Sequence, residues 1–286
     1  MNIQEEILPE HIISLKQKYG KNSKEDFFIY NSEIFTDDER KLFNYIHQFQ
    51  IETKTEKHLY SLNTRFLYRE QNKKEPCFML HGHDKGCTWI SWLQLALILF
   101  ENGRNVLLMD LPGFGKSTVD GDKNSFTIKY KNDSHNMVKN MINIFQLKNV
   151  HAVGWCGGGA NFYRTIAHYP KLFGKNHIFH NVVISQIPTK LVKNLEENNM
   201  KIWVSWMLDD GEHSQYCMAY KWLQEKNKQK NKNIKLQVIQ NKELPCVALW
   251  SKQMGKKTDD VYMSELYMHY KKQESFLYTI ELFLNS

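Results

Sequence analysis

Long hydrophobic runs are missing from this chain. The longest, residues 89–100, is broken by Ser91 and Gln94 and falls short of the ~20 residues that a bilayer-spanning helix needs. It reads as a buried helix, and no membrane span is expected. A secretory leader is not expected either: Glu5, Glu6 and Glu10 occupy the start, with no apolar stretch of the required kind. There is no basic stripe with interleaved aromatic residues. The net charge of +7 and pI of 8.9 come from lysines scattered among Asn and Gln, as in residues 225–232, so nucleic acid is not an expected partner. The cysteines, at 77, 87, 156, 217 and 246, are five in number and irregularly spaced. An odd, unpatterned set excludes a disulfide framework and fits thiols in a reducing, intracellular compartment, the cytoplasm first. No internal repeat is evident, and no metal site or cofactor is expected.

What is present supports a substantial core. Hydrophobic residues make up 42% and aromatic residues 13% of 286 positions, enough for one large domain plus an extension. Helical patterns open the chain at 3–19 and from Thr36-Asp37-Asp38-Glu39 to about Gln50; the latter carries an N-cap and acidic first turn that suit the helix dipole. Residues 1–54 are therefore read as an N-terminal helical extension and residues 55–286 as the main domain. After an alternating segment at 58–69, short apolar runs recur at 77–80, 105–109, 150–153, 181–185, 202–206 and 234–239. Helical stretches separate them at 89–102, 134–145, 161–168 and 215–226, and a last helix spans about 260–284. Runs of this length alternating with helices predict an α/β architecture: a mostly parallel sheet, covered on both faces. No lid segment is evident between Ser185 and Ile202, which implies an open site.

The chemistry concentrates in three loops. The strand His151-Ala152-Val153-Gly154 runs into Trp155-Cys156-Gly157-Gly158, a G-x-nucleophile-x-G elbow with sulfur in place of oxygen. Gly154 and Gly158 have no Cβ, so strand and helix approach closely while Cys156 is forced outward. A thiolate there meets the positive end of a helix; a buried, inert cysteine is the plainer alternative. His81-Gly82 ends an earlier strand, and the N–H of His83, with that of Gly157, suits an oxyanion. Residues 110–117, Asp-Leu-Pro-Gly-Phe-Gly-Lys-Ser, mimic a phosphate-binding loop, but Asp110 stands where the first glycine is required. That segment is read as a structural loop.

Taken together, residues 66–70, 79–82, 88–89, 110–117 and 154–158 resemble, in order and spacing, the α/β-hydrolase superfamily, and they thread residues ~60–285 onto its fold. The likeness is to its short, lidless branch. The resemblance implies an eight-stranded, mostly parallel sheet and a triad in the order nucleophile, acid, histidine. A minority similar to dienelactone hydrolases uses cysteine. Mapped onto this chain, the acid falls at Asp210, with Asp209 as its neighbour; a pair of acids capping the next helix is the equal alternative. The family histidine has no counterpart. The loop after the last strand reads Gln240 to Cys246, with Leu244 in its slot, and His213 or His269 are the nearest substitutes. Two functions follow. One is a catalytically degenerate fold serving as a binding module or structural subunit among partner proteins. The other is a cysteine-dependent hydrolase of small esters, lactones or thioesters, with Cys156, Asp210 and His213 as its triad. An imidazole nitrogen close to the Cys156 sulfur separates the two.

Overall fold

In a computed structural model, which describes residues 8–21, 36–83, 87–123, 132–180, 189–207, 224–225, 228, 233–239 and 283–285, three central strands carry the most apolar segments. They are β3 (Lys74–Leu80), β4 (Arg104–Met109) and β6 (His151–Trp155), in parallel register with β3 in the middle. Successive side chains point to opposite faces. Phe78, Leu80, Leu107, Met109 and Ala152 enter one core, while Cys77, Met79, Val106, Leu108, Val153 and Trp155 enter the other. Burial on both faces is why these strands read as unbroken apolar runs.

Along the sheet the order is β1 (Ile46–Lys54), β2 (Leu59–Leu67), β4, β3, β6, β7 (Asn176–His180), β8 (Lys201–Met207) and β9 (Ile234–Ile239). β2 is antiparallel to both neighbours and every later pairing is parallel. A two-residue strand, β5 (Thr118–Val119), hooks onto β2. On one face, a short 3-10 turn, Trp89–Trp92, leads into α3 (Leu93–Glu101), whose Leu93, Leu95, Ala96, Leu97, Leu99 and Phe100 are all buried. The other face carries α4 (Ser134–Ile144), α5 (Gly157–His168) and α6 (Thr189–Glu197). In α4 the buried residues Met137, Val138, Met141 and Ile142 recur at helical spacing. This is the α/β layering expected, with β6, the strand that leads into Cys156, near its centre.

Several expectations are corrected in position. The helix expected from Thr36 to about Gln50 stops at Leu42, as α2 (Asp37–Leu42), behind a capping box between Thr36 and Glu39. Residues 46–54 are strand β1, because Ile46, Phe49 and Ile51 bury against the sheet while β1 pairs with β2 over nine residues. The sheet thus begins inside the segment read as an extension of residues 1–54. The earlier helix, α1 (Glu10–Tyr19), buries Ile12, and just after it Gly20 bridges Phe49 and the Lys21 N–H donates to the Gln48 carbonyl at 3.1 Å. That contact covers part of an otherwise open sheet edge.

A strand lies at Asn176–His180; residues 181–185, where one was expected, fall outside the described residues. Between β7 and β8, where no lid was evident, α6 packs Leu191 and Leu195 into the core. Its Asn194 amide donates to the Ile166 and Ala167 carbonyls at 3.1 and 2.9 Å, satisfying the end of α5. Of the helix expected at 260–284, only its last residues are described; Phe283 packs edge-on to Trp203 at 5.7 Å. The helix expected at 215–226 lies outside the described residues, apart from 224–225.

Candidate active site

Cys156 sits at φ 48°, ψ −117°, a left-handed conformation for a side chain bearing a Cβ, between the end of β6 and the first residue of α5. The turn is possible because its neighbours leave room. A Cβ on Gly154 would stand 2.6 Å from the Gly159 Cα, and one on Gly158 would overlap the carbonyl oxygen of Leu80. Strand, helix and the end of β3 therefore meet backbone to backbone. Cys156 is half-buried, whereas Cys77 and Cys87 are fully buried. The thiol is only partly covered, and α5 begins at the next residue.

The loop after β3 closes over this elbow. A Cβ on Gly157 would overlap the Nδ1, Cε1 and Cγ atoms of the His83 ring. The imidazole thus lies directly against the Cα that follows Cys156. It stacks on Phe114, with 5.9 Å between centroids and 13° between planes. His83 was singled out in the sequence for its backbone N–H; the position of its ring was not foreseen. The only signal for it is the third glycine-like position at 157, which the elbow pattern itself does not demand.

Behind His83, a buried polar network fixes the loop. The Leu111 N–H donates to His81 Nε2 at 2.9 Å, so the proton of the neutral ring is on Nδ1, which donates to the Gly82 carbonyl at 2.6 Å. Burial pushes the His81 imidazole down to about 3. Asp110, also buried, accepts from the Trp89 N–H and the Asn63 amide, each at 2.6 Å. Burial raises its carboxyl to about 6 against the pull of these bonds and of Arg65. The rest of the 110–117 loop bonds to itself. Ser117 Oγ donates to the Asp110 carbonyl at 2.7 Å, and the Gly113, Phe114 and Ser117 N–H groups donate within the loop. Those donors are spent on the fold instead of a phosphate, in keeping with the structural reading of this segment.

The remaining triad candidates fall where the description stops. β8 ends at Met207, level with Ile239 at the end of β9 and on the same sheet edge as Trp155. Asp209, Asp210, His213, Leu244 and His269 all lie outside the described residues. Among the described residues, no group of three or more His, Cys, Asp or Glu side chains could hold a metal ion. No helix among them is long and apolar enough to cross a membrane.

Comparison with known proteins agrees with this geometry. Residues 76–209 match the family model described as the alpha/beta hydrolase fold. A 115-residue stretch is 30% identical to a 2-hydroxy-6-oxononadienedioate/2-hydroxy-6-oxononatrienedioate hydrolase of Comamonas testosteroni, covering 40% of this chain and 38% of that enzyme. The chain therefore matches well under half the length of this relative. Among solved structures, a predicted CIB-like hydrolase from Thermoplasma acidophilum aligns with a TM-score of 0.55 at 15% identity, over 84% of this chain and 100% of that one. A serine hydrolase from Cycloclasticus zankles aligns with a TM-score of 0.52 at 11% identity, over 84% and 98%. Fold and family match together show that the chain has the α/β-hydrolase fold.

Proposed function

We propose that this chain is a cysteine-dependent hydrolase of small esters, lactones or thioesters, with Cys156 as its nucleophile. The observation that carries the proposal is the half-buried cysteine held at φ 48° on the N-terminus of α5. Such strain persists only where surrounding structure enforces it, and it aims one side chain at the substrate side of the sheet edge. The N–H groups of Gly157 and His83 would receive the oxyanion as the carbonyl carbon becomes tetrahedral. Asp210 would orient the base, with His213 as the histidine that the family pattern leaves to be replaced. The relatives named above are hydrolases, which favours this reading over a degenerate binding module or structural subunit. Leu244, the residue that motivated the degenerate reading, lies outside the described residues.

The test is turnover of an activated ester, p-nitrophenyl acetate, by wild type and Cys156→Ala. Repeated turnover by wild type that falls by about 10³-fold or more in the variant supports the proposal. A variant that keeps the wild-type rate ends it.

A further inference from the structure

We infer that His81 is a positioning residue for the oxyanion site: its imidazole turns the peptide between Gly82 and His83 so that the His83 N–H faces the elbow. This rests on the proposed function above and names a buried residue that acts through its neighbour. Three observations carry it. The first is where that peptide lies. A Cβ on Gly82 would stand 3.0 Å from Cδ2 and Cε3 of the Trp155 indole, and the His83 ring covers the Cα of Gly157. Gly82 has no positive φ that would otherwise require a glycine; the indole accounts for its missing Cβ. Trp155 and Gly157 flank Cys156 in the chain, so the peptide joining Gly82 to His83 runs alongside that residue.

The second observation is direction. In a trans peptide the C=O and N–H bonds point opposite ways. The Gly82 carbonyl accepts from His81 Nδ1 at 2.6 Å, and the His81 ring is completely enclosed. The N–H of the same peptide, that of His83, therefore points away from the enclosed ring. Were the peptide turned over, a carbonyl would meet the developing oxyanion and repel it.

The third is that the donor on His81 is fixed. The Leu111 N–H donates to Nε2 at 2.9 Å, which leaves the proton of the neutral ring on Nδ1. Burial pushes the ring down to about 3, so this neutral form persists across the neutral range. Phe114 meets the His81 ring edge-on at 5.1 Å and stacks on the His83 ring at 5.9 Å. The 110–117 loop, a phosphate-loop mimic in its spelling, thus serves as the mount on which the oxyanion peptide is set.

The test compares two substitutions that each keep one of the two His81 bonds. In His81→Asn the amide NH₂ takes the place of Nδ1 and donates to the Gly82 carbonyl. In His81→Gln the amide oxygen takes the place of Nε2 and accepts from Leu111, and the donor to Gly82 is lost. With p-nitrophenyl acetate, kcat is expected to fall about 10²-fold in His81→Gln at little-changed KM, and to return most of the way in His81→Asn. Equal losses in the two variants, or a His81→Gln kcat within about three-fold of wild type, overturn the inference. His81→Ala, which also removes the donor, replaces His81→Gln with the same expectations if the latter does not fold.

A second measurement needs no turnover. Trifluoroacetone accepts the Cys156 sulfur at its carbonyl carbon and leaves the charge on oxygen, whereas iodoacetamide alkylates the same sulfur without forming an oxyanion. Protection of Cys156 from alkylation by the ketone is followed by peptide mass spectrometry. His81→Gln should weaken that protection about 10²-fold, while its alkylation rate without ketone stays that of wild type; His81→Asn should match wild type in both. An alkylation rate that falls as far as the ketone affinity assigns His81 a general packing role and overturns the inference. If the ketone separates the variants as expected while wild type shows no Cys156-dependent turnover, the positioning role stands and the hydrolase proposal falls.

Discussion

Asp110 shows how much one buried carboxylate organises here. Its two oxygens tie together the 3-10 turn at Trp89 and Asn63 of β2, and its carbonyl receives Ser117. A Cβ at Gly115, where φ is +52°, would overlap its Oδ2. Gly115→Ala therefore combines left-handed strain with displacement of a buried hydrogen-bonded acid. We expect a loss of about 1–3 kcal/mol, read as a lower urea midpoint at unchanged m-value. The sequence exposes the Gly-Lys-Ser spelling of this loop but not its hub. The bonds that define Asp110 come from residues 21 and 47 positions away, beyond the reach of any local pattern. His83 is hidden for the same reason, since its ring matters only through Gly157, more than seventy residues later.

The junction of β6 and α5 is the element on which the site depends, and it was the most legible part of the chain. Glycines at 154 and 158 announce the close approach, and the structure puts the Gly159 Cα in the space a Cβ on Gly154 would need. Gly154→Ala must push strand and helix apart. The expected outcome is destabilisation of about 1–3 kcal/mol by denaturant titration, together with slower alkylation of Cys156 in the native protein. An unchanged midpoint and alkylation rate would show that the approach is not needed. Strands β3, β4, β6 and β8 were legible because burial on two faces leaves an unbroken apolar signature. β1 was not: its capped, acidic start at Thr36 is a true helix signal, but the helix ends six residues in, and the half-exposed pattern of Ile46–Lys54 gives no apolar run. The strand at Asn176–His180 was not expected, because Asn176 and His177 look like loop residues. In the fold both are buried, with the Asn176 carbonyl accepting from His151 Nδ1 at 2.6 Å.

For the molecule as a unit, the buried histidines set the response to acid. Burial holds His81 and His177 down at about 3 and His47 at about 4. Each is neutral when folded, while the unfolded chain binds a proton below its ordinary value near 6.5, so each term is lost as pH falls from that value toward the folded one. Asp110 acts oppositely: raised to about 6, it stabilises below its unfolded value and loses that contribution as pH rises through 6. For these four groups taken alone, three histidines against one carboxylate leave the unfolded state with about two more protons near pH 5, or roughly 3 kcal/mol of stability lost per unit of acidification there. Melting midpoints from pH 7 to pH 4 should fall steeply below pH 6.5. A flat or rising profile would contradict the assignment of neutral buried rings.

The layered sheet and the elbow were thus readable from sequence, while the pairing of the elbow with a ring from the β3 loop required the fold to bring them together. The claim on which the rest stands is that sulfur at residue 156 attacks substrate. Brief exposure of the native protein to p-nitrophenyl acetate, followed by acid quench and peptide mass spectrometry, tests it directly. The account predicts an acetyl group on the peptide carrying Cys156, absent from Cys156→Ala. Acetylation found elsewhere, with Cys156 unmodified while turnover proceeds, would contradict it.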